Sequence, residues 1–294
     1  MSKQPILAVN IGNSRTQFAR FEGAQRAEDG SLSLLPNEPR QALVDALLAE
    51  LAILRDSGED PVLVACSVNP PVADAVEAEI SAGAPDAEFL LARRDVPLTI
   101  NHSLDDSGER TVGQDRLCDA IGAFAMLGQA CVVVDAGSAV TVDFVDGEGV
   151  FHGGAIAPGA RMMLRAMHEK TAALPALEFA APEGVGGEAG ELQPFGRNTP
   201  QAMLNGVFFA LRGLVRQLAE RYAEKYEAYP VIIATGGDAG VLFSGDELVE
   251  RVIPDLTLRG VAHAFDAWMR TLGESNTDEA EDGAGPTGAR DITP

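Results

Sequence analysis

Hydrophobic residues along this chain follow two periods, and the two alternate. Ile6–Val9 is a short apolar run that breaks at the polar turn Asn10–Ser14 and resumes at Phe18–Phe21. A strand, a tight turn and a second strand predict a β-hairpin. Arg40–Leu54 instead repeats Leu43, Leu47, Leu51 and Leu54, with Ala42, Ala46 and Ala49 beside them, which predicts an amphipathic helix. Pro61–Ser67 then predicts a buried strand, Val72–Ile80 a helix and Glu88–Ala92 a short strand. Arg116–Leu127 has helical spacing, and Gly128 suits its stop. The most strand-like segment is Cys131–Asp135, whose unbroken β-favouring run predicts a central strand covered on both faces. Thr141–Val145 and Val150–Ala157 continue it as a meander through the turn Asp146–Gly149. Helices over Ala160–Ala173 and Pro200–Tyr226, a strand over Val231–Thr235 and a helix over Thr257–Thr271 complete the pattern. Ala181–Gln193, rich in Gly and Glu, predicts a surface loop. From Gly273 onward no apolar periodicity remains, which predicts a disordered acidic tail.

Composition adds three constraints. The apolar fraction of 46% supports a sizeable core, and only 5% aromatics makes that core aliphatic. The formal net charge of −22, from 44 acidic and 22 basic residues, repels phosphate backbones, and no run of Lys and Arg offsets it, so a nucleic-acid partner is excluded. Cys66, Cys118 and Cys131 have no metal-ligand spacing and are expected as buried, reduced thiols. The N-terminal apolar run is too short for a signal peptide, and no segment approaches the ~18 apolar residues of a membrane span. A cytoplasmic protein without membrane attachment is expected. The length of 294 residues has room for two domains, expected at 1–117 and 118–272, with the tail at 273–294.

One local pattern occurs twice. Val9-Asn10-Ile11-Gly12-Asn13-Ser14 and Val134-Asp135-Ala136-Gly137-Ser138-Ala139 each end an apolar strand in Asp or Asn and turn through Gly into small polar residues. Glycine lets a backbone approach a phosphate and aim its N–H groups inward; the hydroxyl or amide adds a donor, and a carboxylate can hold a metal ion or its water. The same residues also dominate ligand-free turns. As a pair they point to a duplicated fold with a ligand between the halves. Gly113-Gln114-Asp115-Arg116 precedes a helix. Asp115 there could cap that helix, or accept a proton from an alcohol while Arg116 holds a carboxylate. His102, His152, His168 and His263 lack metal-ligand spacing, so zinc is not expected.

In order along the chain, Asn10–Ser14, Ser67–Pro70, Gly113–Arg116, Asp135–Ser138, Gly153–Gly159, Leu174-Pro175, Gly196–Thr199 and Ala234–Gly237 resemble the type III pantothenate kinase family, from about residue 6 to 265. The resemblance implies an α/β fold of two ribonuclease-H-like halves, the actin/hexokinase-like ATPase architecture, with a nucleotide cleft between them. It implies a homodimer that transfers the γ-phosphate of ATP to pantothenate, the first step of coenzyme A biosynthesis, with Mg²⁺ and a monovalent cation, K⁺ or NH₄⁺. Carried over residue by residue, Asn10, Ile11, Gly12, Asn13, Ser14, Arg15, Thr16 and Gln17 bind ATP phosphates. Gly113, Gln114, Asp115 and Arg116 bind pantothenate, with Asp115 as general base. Asp135 binds the monovalent cation, Ser138 contacts ATP, Thr199 contacts substrate, and Thr235–Gly237 approach the adenosine. A kinase with so negative a field must hold its nucleotide through such local donors and metal ions.

Two positions depart from the family pattern. Asn10 stands where the family usually has Asp, which removes a charge beside the phosphates and carries the expectation of weakened activity, with Asp143 as another source of charge. It also motivates the alternative of a non-catalytic homologue that binds without turnover. The stretch Asn101–Asp106 lacks the Tyr often found there, which motivates a kinase for another small hydroxyl compound.

Overall fold

The computed structural model describes residues 4–58, 60–182 and 194–282. Its first sheet begins with β1 (Pro5–Ile11) and β2 (Arg15–Glu22), an antiparallel hairpin extended at its edge by β3 (Gln25–Arg26) and β4 (Ser33–Pro36). Helix α1 (Arg40–Asp56) crosses to β5 (Val62–Ser67), parallel to β1, and α2 (Pro70–Gly83) crosses to β6 (Glu88–Leu91), parallel to β5. The short α3 (Asp106–Thr111) and α4 (Gln114–Leu127) follow. The second sheet repeats the plan. A meander of β7 (Cys131–Ala136), β8 (Ala139–Val145) and β9 (Phe151–Pro158) leads through α5 (Ala160–Lys170) and α6 (Thr199–Tyr226) to β10 (Val231–Thr235), parallel to β7. Then α7 (Ala239–Phe243), β11 (Arg251–Val252), parallel to β10, and α8 (Leu256–Asp282) close the chain.

The strand orders are β3-β2-β1-β5-β6 and β11-β10-β7-β8-β9. Read from its meander edge, each sheet is a three-stranded antiparallel unit followed by two parallel crossovers. This is the ribonuclease-H-like order, present twice, and the expected actin/hexokinase-like class stands. Parallel strands covered on both faces lose the alternation of a half-exposed sheet. Accordingly Ile6 to Val9 and Cys131 to Val134 are all buried. On one side of the first sheet, Leu7, Val9, Leu63 and Ala65 pack on Leu43, Leu47 and Leu51 of α1 and Val76 and Ile80 of α2. On one side of the second, Val132, Val134, Val140 and Val142 pack on Leu164 of α5 and Val207, Phe208 and Leu211 of α6.

The last helix of each half joins the two. Cys118 of α4 and Leu258, Val261, Ala262 and Phe265 of α8 fill the other face of the first sheet with Ile6, Ala8, Val62 and Val64. Leu117, Ala120 and Ala123 of α4 and Leu256 of α8 meet Cys131, Val133 and Ile233 of the second. The helices cross so closely that a Cβ on Gly260 would lie 1.8 Å from the Cys118 carbonyl oxygen. The boundary expected at 117/118 thus runs through α4, and α8, last in order, lies against the first sheet. α8 also continues past Gly273 to Asp282, so the first part of the expected tail is helical; residues 283–294 lie outside the described residues. The loop expected at Ala181–Gln193 falls almost wholly outside them too. The three cysteines are buried and free, and among the described residues no helix is long and apolar enough to cross a membrane.

Candidate active site

Both Gly-bearing hairpins lie where the antiparallel meander meets the carboxyl ends of the parallel strands. In the first, Asn10 pairs with Gln17 and Ile11 with Thr16 across the ladder. The turn closes through the Gly12 N–H, which donates to the Arg15 carbonyl at 3.0 Å. Asn13, Ser14 and Arg15 are exposed on it, while Ile11 and Thr16 are buried. Thr16 Oγ1 donates to Asn37 Oδ1 at 2.8 Å, Asn37 Nδ2 donates to the Gly12 carbonyl at 2.9 Å, and the Asn37 N–H donates to the Ser14 carbonyl at 3.0 Å. Gln17 Nε2 donates to the Pro254 carbonyl at 2.9 Å, which ties the hairpin to the second half of the chain. Of the eight residues expected at ATP phosphates, the exposed Asn13, Ser14 and Arg15 have the most open side chains. Ile11, Thr16 and Gln17 spend theirs on holding the turn in place.

In the second hairpin Asp135 pairs with Thr141 and Ala136 with Val140. The Gly137 N–H donates to the Ala139 carbonyl at 2.9 Å, and Ser138 is exposed. Gly236, at φ +92°, follows β10 and presses against this hairpin; a Cβ there would lie 2.3 Å from Asp135 Oδ1. Beyond it Asp238, 1% exposed, receives Arg161 Nη1 on Oδ1 at 2.5 Å, and its Oδ2 has no partner among the described residues. Burial raises the Asp238 pKa, and the guanidiniums of Arg161 and Arg15 offset part of the rise. Arg15 lies on the first turn, so charge from the first hairpin reaches the loop that packs on the second.

The helix α4 points its amino end toward these hairpins. Gly113 is its N-cap and makes no side-chain cap, so Asp115 lies in the first turn rather than at the cap. Its Oδ1 accepts the Arg116 N–H at 2.8 Å, a contact that also suits the positive end of the helix dipole. Gln114 Oε1 accepts the Ser67 N–H at 3.1 Å and joins α4 to the end of β5. Arg116 Nε donates to Asp143 Oδ2 at 2.9 Å, and Nη2 donates to Oδ1 of the same carboxylate. Burial raises Asp115, and the negative charge of Asp143 adds to this while Arg116 opposes it. Burial, with the carboxylates of Asp115, Asp143 and Asp238, pushes Asp135 up to about 7. These carboxyl groups are therefore close enough to repel one another, and the repulsion is relieved by protons or by cations. Among the described residues no group of His, Cys, Asp and Glu forms a metal cage by itself. The donor set fits a cation that arrives with phosphate oxygens, in the manner of nucleotide-bound Mg²⁺.

A family model for type III pantothenate kinase matches residues 6–221. The chain belongs to that family. It is 32% identical to the type III pantothenate kinase of Dehalococcoides mccartyi strain CBDB1 over 265 residues, covering 89% of this chain and 95% of that protein. It is 33% identical to that of Gluconobacter oxydans strain 621H over 285 residues, covering 92% and 94%. Among solved structures, a conserved Baf family transcriptional activator from Campylobacter jejuni shares the fold with a TM-score of 0.53, at 19% identity and over 93% of this chain and 100% of that one. The protein is thus a phosphotransferase of the pantothenate kinase family, and ATP use follows from family and fold.

This membership does not bear out the weakened activity expected from Asn10. Asn10 Oδ1 accepts the Cys66 thiol at 3.4 Å, and the cleft of this kinase holds a surplus of carboxylates rather than a deficit. Asp143, named as another source of charge, has both oxygens on Arg116. Thr199 opens α6 and lines an apolar pocket of about 490 Å³ with Met163, Met167, Leu174 and Met203. No hairpin or Gly113–Arg116 residue lines that pocket. His152 bridges Ser103 Oγ, at 3.0 Å, and Asp146 Oδ2, at 2.7 Å, and fastens β9 to the loop before α3. Three residues around the site, Asn37, Asp238 and Arg161, have no local signal in the sequence, and a fourth, Asp119, has a faint one. Asp119, 3% exposed, accepts Thr257 Oγ1 at 2.7 Å and links α4 to α8. Its spacing from Asp115, one helical turn, was the only available clue.

Proposed function

We propose that this enzyme transfers the γ-phosphoryl group of ATP to the hydroxyl of pantothenate, opening coenzyme A biosynthesis. The observation that carries the reading is the meeting of Arg116, on the amino end of α4, with Asp143 of the second meander, Nε donating to Oδ2 at 2.9 Å, while Asp115 Oδ1 accepts the Arg116 N–H beside it. Phosphoryl transfer asks a protein mainly for positioning and charge neutralisation. Asn13, Ser14 and Arg15 on one side and Ser138 on the other hold the phosphates through N–H groups and side-chain donors. Asn10, Gly12 and the braced Ile11, Thr16 and Gln17 keep that turn in shape. Thr235–Gly237 run along the adenosine side. Arg116 takes the acceptor's carboxylate, with Gly113 and Gln114 beside it. Asp115, raised by burial, accepts the hydroxyl proton as the oxygen attacks phosphorus and ADP leaves with the β–γ bridging oxygen. Asp135 would hold a monovalent cation, K⁺ or NH₄⁺, and Mg²⁺ would enter with ATP; bound there, the cations would neutralise phosphate charge.

The same reading makes the enzyme a cytoplasmic homodimer with no nucleic-acid or membrane partner. Phe209 and Tyr226 remain exposed on α6, 40% and 37%, and offer apolar surface for the second copy. Thr199, at the start of that helix, completes the substrate contacts in the assembled enzyme. The test is steady-state ADP release with and without pantothenate. Release should depend on pantothenate, and Asp115→Asn should lower kcat about 10²–10⁴-fold while calorimetry still detects both ligands. Release indifferent to pantothenate, or to the substitution, refutes the assignment.

A further inference from the structure

Arg116 has little freedom to choose its direction. Two of the five N–H groups of its planar cation, Nε–H and one on Nη2, lie on the two oxygens of Asp143. The guanidinium carbon stands 5.7 Å from the centroid of the Phe151 ring, which limits tilting. The pair occupies one edge of the guanidinium. The other edge, formed by Nη1 and the outer N–H of Nη2, has no acceptor among the described residues. That edge has the spacing of a second carboxylate.

Asp143 is held as firmly as it holds. It is 3% exposed on β8, the middle strand of the second meander, and Thr141, two residues before it on the same strand face, favours its charged form. Its cross-strand partner on β9 is Gly154. A Cβ at Gly154 would lie 2.0 Å from the Val142 carbonyl oxygen and 2.6 Å from Asp143 Oδ1. A larger residue would therefore force β8 and β9 apart at Val142 and carry the Asp143 carboxylate with the displaced strand. Buried ion pairs are weak devices for stability, because desolvation consumes most of the attraction. A carboxylate buried against one guanidinium, opposite a glycine on the neighbouring strand, is better suited to fixing direction.

We propose that Asp143 is a positioning residue that presents the free edge of Arg116 to the carboxylate of the acceptor, and that Gly154 makes this possible by leaving room for it. Asp143 touches neither phosphate nor hydroxyl. It selects for acceptors that carry a planar monocarboxylate at a set distance from the attacking oxygen. The inference rests on the reading of Arg116 as the carboxylate holder, and the experiment separates the two. Pantothenate-dependent turnover is measured for the wild type, Arg116→Lys, Asp143→Asn, Gly154→Ala and the double variant Arg116→Lys/Asp143→Asn. Arg116→Lys should raise the KM for pantothenate; an unchanged KM there sinks the underlying reading, whatever Asp143 does. Given that rise, Asp143→Asn and Gly154→Ala should each raise the same KM about 10- to 100-fold, with kcat and the KM for ATP changed less than about threefold. In the Arg116→Lys background Asp143→Asn should add little. If either variant does not fold, Thr141→Val, which removes the hydroxyl beside Asp143 on the same strand face, should still raise the pantothenate KM by about threefold. A pantothenate KM unmoved by Asp143→Asn or Thr141→Val overturns the proposal. So does an equal rise in the KM for ATP, or an undiminished effect in the double variant.

Discussion

Replacing Gly260 with alanine adds one methyl group where α4 and α8 cross, and the structure fixes what that methyl would meet. An ideal Cβ would lie 1.8 Å from the Cys118 carbonyl oxygen, 2.4 Å from the carbonyl carbon and 2.8 Å from Cα. Non-bonded carbon–oxygen contacts settle near 3.3 Å, so the helices must part by roughly 1.5 Å. A gap of about 0.5–1 Å already forfeits a quarter to a half of the dispersion attraction. Leu256, Leu258 and Val261, buried along this crossing, would lose more than that. Overpacking of this kind costs about 1–3 kcal/mol, and backbone cannot rotate aside as a side chain can. The better helix propensity of alanine returns ~1 kcal/mol. The net expectation is a loss of about 1 kcal/mol, accompanied by lower turnover because α4 carries Asp115. Gly213 supplies the control. It lies exposed in α6 with no atom within 4 Å of a built Cβ, so Gly213→Ala should gain about 0.5–1 kcal/mol. Urea unfolding followed by far-ultraviolet circular dichroism measures both. A Gly260→Ala protein as stable as wild type would show that the crossing can relax, and the argument from close approach would fail.

The acid limb of the kcat/KM profile for pantothenate should lie above the ordinary carboxylate range near 4. Burial and Asp143 raise Asp115, and a base must be deprotonated, so activity is full above the raised value and falls as the pH drops through it; a limb at the ordinary value excludes Asp115 as the titrating base. Asn37→Ala should cost about 1–3 kcal/mol, because it strands the Thr16 hydroxyl and the Gly12 carbonyl. It should also raise the KM for ATP by loosening the first turn, and unchanged stability and KM together would remove Asn37 from its role as a brace.

Long elements with strong periods were legible from residue order. The Leu43, Leu47, Leu51 and Leu54 stripe became the buried face of α1, and the unbroken Cys131–Asp135 run became the central strand of the second sheet. The two-residue strands β3 and β11 and the short helices α3 and α7 were not legible. Elements of that length hold too few periodic positions to register, and they form because neighbours supply hydrogen-bond partners. At the site, the paired Gly-bearing turns and Gly113–Arg116 were visible because turn chemistry is local. Asn37 was invisible because its three bonds reach back to Gly12, Ser14 and Thr16, more than twenty positions away.

By itself, the sequence determined that this protein folds as two related α/β halves, with polar Gly-bearing turns at the ends of apolar strands and an acidic pair-forming segment, Asp115–Arg116, at a helix start. Period, turn preference and helix-start chemistry act over a few residues, so order alone exposes them. Only the tertiary structure decided which charges share a space. Asp115, Asp135, Asp143 and Asp238 are spread over more than a hundred positions and come from a helix, two strands and a loop. Their repulsion, the seat of Asp143 against Gly154 and the grip of Asp143 on Arg116 exist only once the sheets have paired. Electrostatic energy depends on separation in space and on burial, and residue order specifies neither.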